Sequence, residues 1–358
     1  MLTGFVVGRV GPSRAGFIDL GFNLVTMDSP KLKVVITDWT FSDLSLEEHI
    51  LGAQGHKVEG RQCKTEPELI SLVADADAVI TQFARLTRPV VESMTKARAI
   101  VRYGIGVDNV DLESARARGI PVCNVPDYCI DEVADHTLSF ILAMTRQVVP
   151  HCVGVRAGQW KLAVPLDAMK ALRDLQVGVV GCGRIGREVV RRLAPFKCRI
   201  RIFDPAVTAG EVSALGGQLA NSLDDLLLTS DLLTLHCPST PQTRRMINHN
   251  TLAKLKPGAI LINVGRGDLV ETAALVTALE SGQLAGAALD VCDPEPIPTD
   301  HPLLKMPNVV VAPHIASASP TAVRTLRQAA ANLALKALRG EPLQNIVNGV
   351  VPGVGANR

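Results

Sequence analysis

No run of about 18 apolar residues occurs in the chain, which excludes a membrane crossing by a single helix on length alone. The opening lacks a compact apolar segment followed by small residues, the pattern of an export signal. Residues 1–30, MLTGFVVGRVGPSRAGFIDLGFNLVTMDSP, are poor in acids and carry several glycines. They read as a loosely ordered N-terminal extension or the product of an early start codon. Charge of one sign is also missing: 37 Lys and Arg face 35 Asp and Glu, with no long run of either. A nucleic-acid-binding stripe and a polybasic membrane anchor are therefore not expected. The eight cysteines, at 63, 123, 129, 152, 182, 198, 237 and 292, include no C-x-x-C pair. Free thiols in a reducing, cytoplasmic compartment are the expectation, with no bound metal and no disulfides.

What is present is material for buried cores, with 47% hydrophobic and 20% charged residues over 358 positions. A single core tends to split above roughly 250–300 residues, so two domains are expected. From Leu32 the chain alternates strand-like and helix-like segments: LKVVITD, HKV, DAVIT, RAIVRYG and IPVCNV, separated by helical stretches such as TEPELISLVADA. That alternation predicts a parallel sheet with helices on its faces. A long apolar helix is expected over Asp131–Val148, where Val133, Leu138, Ile141, Leu142 and Met144 fall near a helical repeat. It reads as a buried joint between two domains.

From Gln176 the pattern restarts with clearer strands: QVGVV, RIRIF, LLTLH, AILIN, AGAAL and NVVVA. Six such strands suit a doubly wound parallel sheet. A last long helix is expected after Ser319 as N-cap and Pro320 at its first position, ending before Gly340. The tail beyond it is too short for a further domain, and it is expected to pack back on the first one.

Chemistry enters at the turn Gly181-Cys182-Gly183-Arg184-Ile185-Gly186, between a strand and a helix. A lone G-x-G-x-x-G marks many plain turns, but here it stands in the required context. Gly181 permits the tight turn, Gly183 lets the backbone approach a pyrophosphate, and Gly186 allows close helix packing. The next strand ends in Asp204, near the interval at which an acid accepts hydrogen bonds from adenine ribose hydroxyls. An acid there repels a 2′-phosphate, so NAD is favoured over NADP.

The other polar candidates also fall at strand ends, where an open parallel sheet has its ligand crevice. They are His236-Cys237-Pro238, Val264-Gly265-Arg266-Gly267, Asp290 and Pro313-His314. A histidine after a strand is commonly a plain polar loop residue. Glu295, if it folds beside His314, would stabilise the imidazolium and equip it as a proton donor. Arg266 lies between two glycines that leave room for a ligand, and its guanidinium can hold a carboxylate or polarise a carbonyl.

VRYGIGVDNVD, VGCGRIG, FDP, HCPST, INVGRGDLV, GAALDVCDPEP and VAPHIAS occur in the order and at about the spacing of the D-isomer-specific 2-hydroxyacid dehydrogenases. The chain resembles that family from about Leu32 to Asn348, most of all its phosphoglycerate dehydrogenase and C-terminal-binding-protein branches. The resemblance implies an α/β fold with two Rossmann-like domains. A doubly wound NAD-binding domain, residues 131–314, would be inserted in a flavodoxin-like substrate domain of residues 31–130 and 315–350.

It further implies that Arg266 holds the substrate, His314 is the acid/base and Glu295 partners it. Gly181 to Gly186, with Arg184 and Ile185, would bind pyrophosphate, and Asp204 the ribose. His236, Cys237, Pro238 and Thr243 would take the adenosine side, and Val264, Gly265, Asp290 and Ala316 would lie near the nicotinamide. The loop Arg102–Gly106, through Tyr103, Gly104 and Ile105, would offer N–H groups to a small 2-keto acid. A homodimer is the expected assembly, with the helix near 131–148 contributing.

Formate is disfavoured because formate dehydrogenases carry Gln where Glu295 stands. A C-terminal regulatory domain like that of the long phosphoglycerate dehydrogenases is not expected, and so neither is serine feedback. Tyr103 and Ser317–Ser319 depart from common family residues. The alternative reading is an NAD(H)-sensing binding protein that uses the same fold with little or no turnover.

Overall fold

The computed structural model describes residues 31–351, so the expectation for residues 1–30 lies outside the described residues. The first sheet contains β1 (Lys33–Ile36), β2 (Lys57–Gly60), β3 (Ala78–Thr81), β4 (Ile100–Arg102) and β5 (Val122–Cys123). All are parallel, in the order β2-β1-β3-β4-β5. Helices cover both faces, which is why Val34–Ile36 and Ala78–Thr81 are buried without alternation.

The long helix Pro320–Arg339 returns to this sheet. Its Leu326, Ala330, Leu333, Ala334 and Leu338 share a core with Val34, Ile36, Ile80 and Val101. Its ends are set locally, as the sequence indicates. Ser319 Oγ accepts from Ala322 N at 2.9 Å, and Gly340 takes the left-handed C-cap with φ +67°. Beyond it, Asn348 is completely buried and ties the tail to β5: Val122 N donates to its Oδ1 at 3.1 Å, and its Nδ2 donates to Ile120 O at 2.8 Å.

The second sheet contains β6 (Gln176–Val180), β7 (Arg199–Phe203), β8 (Gln218–Leu219), β9 (Leu232–Leu235), β10 (Ala259–Asn263), β11 (Leu284–Leu289) and β12 (Val309–Val311). The parallel order β12-β11-β10-β9-β6-β7-β8 is the doubly wound pattern with one added edge strand. Six of the seven strands are legible in the sequence. The two-residue edge strand β8 is too short to show a period.

The helix Ile130–Arg146 packs into the second sheet's core through Val133, Leu138, Ile141 and Met144. It stops two residues before the expected end. Gln147 is left-handed, φ 54°, and a second helix, Val148–Arg156, departs at 67°. Pro150 explains the break: in a continuing helix its ring would collide with the carbonyl of Arg146. Among the described residues no single helix is long and apolar enough to cross a membrane.

Candidate active site

Because the strands of the second sheet are parallel, their carboxyl ends open on one edge. At the switch in strand order, between β6 and β9, the glycine turn meets the segment after β9. Gly181 has φ +91°, and a Cβ there would lie 2.6 Å from Cys237 N. A Cβ on Gly186 would lie 2.1 Å from Gly181 O, whereas one on Gly183 would meet nothing within 4 Å. The first two glycines are required by the protein's own packing; Gly183 leaves an open face at the N-terminus of the helix Arg184–Leu193. That is the shape a pyrophosphate needs. Arg184 is exposed, while Ile185 is partly buried against the core.

Asp204, at the end of β7, accepts from Cys182 N at 2.7 Å and from Ala206 N at 2.8 Å, which fixes its carboxylate beside the glycine turn. His236 pairs through Nε2 with Thr234 Oγ1 at 2.9 Å, while its buried Nδ1 has no partner among the described residues. Burial pushes this imidazole down to about 3, so it is a neutral group. Thr243 Oγ1 donates to Pro238 O at 2.6 Å and closes the following turn. Cys237 is half-buried, with Sγ 3.8 Å from Met246 Sδ.

His314 and Glu295 come together after β12 and β11. His314 Nδ1 lies 2.6 Å from Glu295 Oε1, and Cys292 N donates to Oε2 at 3.4 Å. Burial opposes ionisation of Glu295, but His314, the Cys292 amide and Arg266 outweigh it and hold the carboxyl below its usual range. His314 adopts φ 54°, uncommon for a residue with a side chain.

Asp290 sustains that turn. Its backbone O accepts from His314 N at 2.9 Å, and its two carboxylate oxygens accept from Ile315 N at 2.9 Å and Ala316 N at 2.8 Å. Ala316 and Val264 are buried beside it in the same core.

Arg266 follows β10 in a turn clamped by Asn263, whose Oδ1 accepts from Gly265 N at 3.1 Å and whose Nδ2 donates to Arg266 O at 2.8 Å. The Arg266 side chain crosses to the first sheet's loops, where Nε donates to Asp108 Oδ1 at 2.9 Å. Gly267 is required by a close approach, since a Cβ there would fall 1.9 Å from Cys292 O.

The loop after β4 faces Arg266, but its residues divide. Gly104 has φ +144° and its N–H donates to Arg102 O at 2.9 Å, while the partly buried Ile105 packs against the second sheet's core. Tyr103 does not present its side chain to the cleft. Its ring is buried in the first core and its hydroxyl donates to Glu47 Oε1 at 2.9 Å. The sequence expects a backbone N–H from Tyr103, and that N–H donates to Thr81 O at 2.8 Å; the neighbouring Arg102 turns its guanidinium to Gly104.

The Arg102 guanidinium fills the space a Gly104 Cβ would occupy, and its Nε has no partner among the described residues. Burial first, and then Arg266, pull it down to about 10. Phe83, at the end of β3, adjoins both centres: its ring centroid is 5.9 Å from Arg102 Cζ and 5.7 Å from the His314 ring. The sequence does not single out Phe83, and it names Arg102 only as the start of the cleft loop; a charge at the last residue of a buried strand is the signal for its side chain.

Residues 138–316 match the family model described as "D-isomer specific 2-hydroxyacid dehydrogenase, NAD binding domain". The chain is 34% identical over 323 residues to a D-3-phosphoglycerate dehydrogenase of Methanocaldococcus jannaschii, covering 88% of this chain and 59% of that protein. It thus spans well under two thirds of that relative's length. Against a glyoxylate reductase of Korarchaeum cryptofilum it is 40% identical over 287 residues, 78% of this chain and 85% of the other. The solved D-lactate dehydrogenase of Aquifex aeolicus, complexed with NAD and lactic acid, superposes with a TM-score of 0.77 at 26% identity, covering 86% of this chain and 96% of that one.

Proposed function

The chain belongs to the D-isomer-specific 2-hydroxyacid dehydrogenase family, and from that premise we propose that it is an NAD-dependent oxidoreductase interconverting a 2-keto acid and its 2-hydroxy acid. The observation that carries the proposal is the His314–Glu295 pair at 2.6 Å, on the same sheet edge as Arg266 and the glycine turn. Residues 131–314 hold the cofactor on this reading, and residues 31–130 with 315–350 shape the substrate side.

The glycine turn and the following helix N-terminus take the pyrophosphate, Asp204 the adenine ribose, and His236–Pro238 with Thr243 the adenosine side. Bound NADH supplies a hydride to the carbonyl carbon, and NAD accepts it in reverse. Arg266 holds the substrate carboxylate and polarises the neighbouring carbonyl, assisted by the N–H groups of Ile105 and Gly106, since that of Gly104 donates to Arg102 O at 2.9 Å. Beside the partly buried Arg266, the buried Arg102 adds a second cation to that wall, so the cleft selects anions.

With Nδ1 committed to Glu295, Nε2 of His314 is the nitrogen left to give a proton to the carbonyl oxygen, or to take it back during oxidation. Glu295 counters the ring's charge while it carries that proton. Asp290 keeps the ring in place by holding three successive N–H groups. Ile105, Val264 and Phe83 line the space and exclude water.

The natural assembly on this reading is a homodimer in the cytoplasm. The helix Ile130–Arg146 is largely committed to its own core. The apolar side chains left for a second copy are instead on Val148–Arg156 and the segment after it, where Val153 is 61% and Trp160 90% exposed.

The test is NADH consumption by the purified protein against 2-keto acids from glyoxylate to phosphohydroxypyruvate, repeated with NADPH. Turnover on at least one acid, with NADH preferred, is the expected result. Tight NADH binding without turnover on any would reject the reaction.

A further inference from the structure

The Arg266 guanidinium is aimed by the opposite side of the cleft. Asp108, whose carboxylate receives Nε–H at 2.9 Å, lies 158 residues earlier on the loop after β4. That loop is held from several sides. Val125 N donates to Gly104 O at 3.0 Å, Asn124 Nδ2 to Ile105 O at 2.6 Å, and Asn109 Nδ2 to Ala84 O at 2.9 Å. Leu86 and Val110 form an isolated bridge, and Asp111 caps the next helix through Ser114 N at 2.8 Å. Asp108 is therefore presented from a fixed backbone.

Gly106 completes the seat. A Cβ at this position would fall 1.6 Å from Arg266 Nη2, 2.6 Å from its Cζ and 2.8 Å from Asp108 Oδ1. The guanidinium rests in the space that glycine leaves. Of its N–H groups, Nε–H goes to Asp108 and one on Nη1 goes to Gly265 O at 2.8 Å, which leaves those of Nη2 and one of Nη1 for a ligand.

Charge points the same way. Arg102 is buried nearby with no carboxylate partner among the described residues, and two cations on one wall repel. A fixed anion between the loop and Arg266 offsets that repulsion and keeps Arg266 from swinging toward solvent.

We propose that Asp108 is a positioning residue: its carboxylate holds the Arg266 guanidinium against Gly106, in the orientation that receives a substrate carboxylate. The inference rests on the reaction proposed above. It adds that the substrate-side loop aims a binding group carried by the cofactor-side sheet, so substrate capture is coupled to the approach of the two sheets.

The experiment titrates oxamate, a carboxylate beside a carbonyl that cannot be reduced in this way, into the NADH complex by calorimetry. Wild type, Asp108→Ala, Asp108→Asn and Gly106→Ala are compared, with NADH affinity and Tm measured for each. Asp108→Ala is expected to weaken oxamate at least about tenfold, the scale of a lost hydrogen bond to a charged group. Asp108→Asn, which keeps an acceptor but loses the charge, falls in between, and Gly106→Ala behaves like Asp108→Ala.

NADH affinity stays within about twofold, and in turnover KM for the keto acid rises more than kcat falls. Unchanged oxamate affinity in Asp108→Ala overturns the proposal. So does a parallel loss of oxamate binding, NADH binding and Tm, which marks a purely structural role. A wild type that neither binds oxamate nor reduces any 2-keto acid rejects the underlying reaction, a result separable from the other two.

Discussion

At the scale of single residues, the chemistry depends on a proton donor whose ring is held twice, by Glu295 at Nδ1 and by Asp290 through the backbone. His314→Ala is expected to lower kcat by about 10²–10⁴, the usual contribution of a positioned acid/base. NADH affinity should be unaffected, as fluorescence titration would show. The depressed pKa of Glu295 gives a sign to the pH dependence. A lowered carboxyl is ionised at and above the ordinary carboxylate range, so its pairing with His314 persists there and is lost only as pH falls through the depressed value. Glu295→Gln, which cannot carry the charge, should cut kcat/KM in the reducing direction at least about tenfold across roughly pH 6–8. A pH–rate profile matching wild type would remove Glu295 from the mechanism.

Elements place these residues, and their joints are correspondingly sensitive. Gly186 sits where the first turn of the helix Arg184–Leu193 presses on Gly181 O, with 2.1 Å available to a Cβ. Gly186→Ala must displace the turn, and NADH affinity should fall at least about tenfold, or ~1.4 kcal/mol. In the first core, Glu47 is fully buried and its carboxylate receives Arg327 Nε at 2.9 Å, Arg327 Nη2 at 2.6 Å and the Tyr103 hydroxyl at 2.9 Å. This network pins the helix Pro320–Arg339 to the helix Ser45–Gly52 and to the strand end that carries the substrate loop. Arg327→Ala leaves a buried carboxylate uncompensated and should destabilise the fold by about 3–5 kcal/mol in urea unfolding.

At the scale of the whole molecule, two parallel sheets face each other with their functional loops in one cleft, and contacts such as Arg266–Asp108 and Phe83–His314 cross it. The helix Val148–Arg156 has no buried residue, and Trp160 beyond it is 90% exposed. A surface of this kind is normally covered. If a second copy covers it, Val153→Asp with Trp160→Ser should shift the protein from dimer to monomer in light scattering. A monomeric wild type would reject the dimer.

Much of this organisation is local enough to be read from the chain alone. Uninterrupted apolar runs such as AILIN declare strands buried on both faces, and Ser319, Pro320 and Gly340 set a helix because capping needs only neighbouring residues. The glycine turn is legible through its spacing and through the φ of +91° that Gly181 adopts, although the fold adds its own demand there, because a Cβ on Gly181 would also meet Cys237 N from the segment after β9 at 2.6 Å. Tertiary structure decided what lies far apart in sequence. It paired Glu295 with His314 across 19 residues and Asp108 with Arg266 across 158. It also turned Tyr103 into the core and left Arg102 at the cleft, a choice that alternation cannot settle where a strand ends and its loop begins. Periodicity reports which face of an element is buried, whereas the partner a polar side chain meets depends on how distant elements pack.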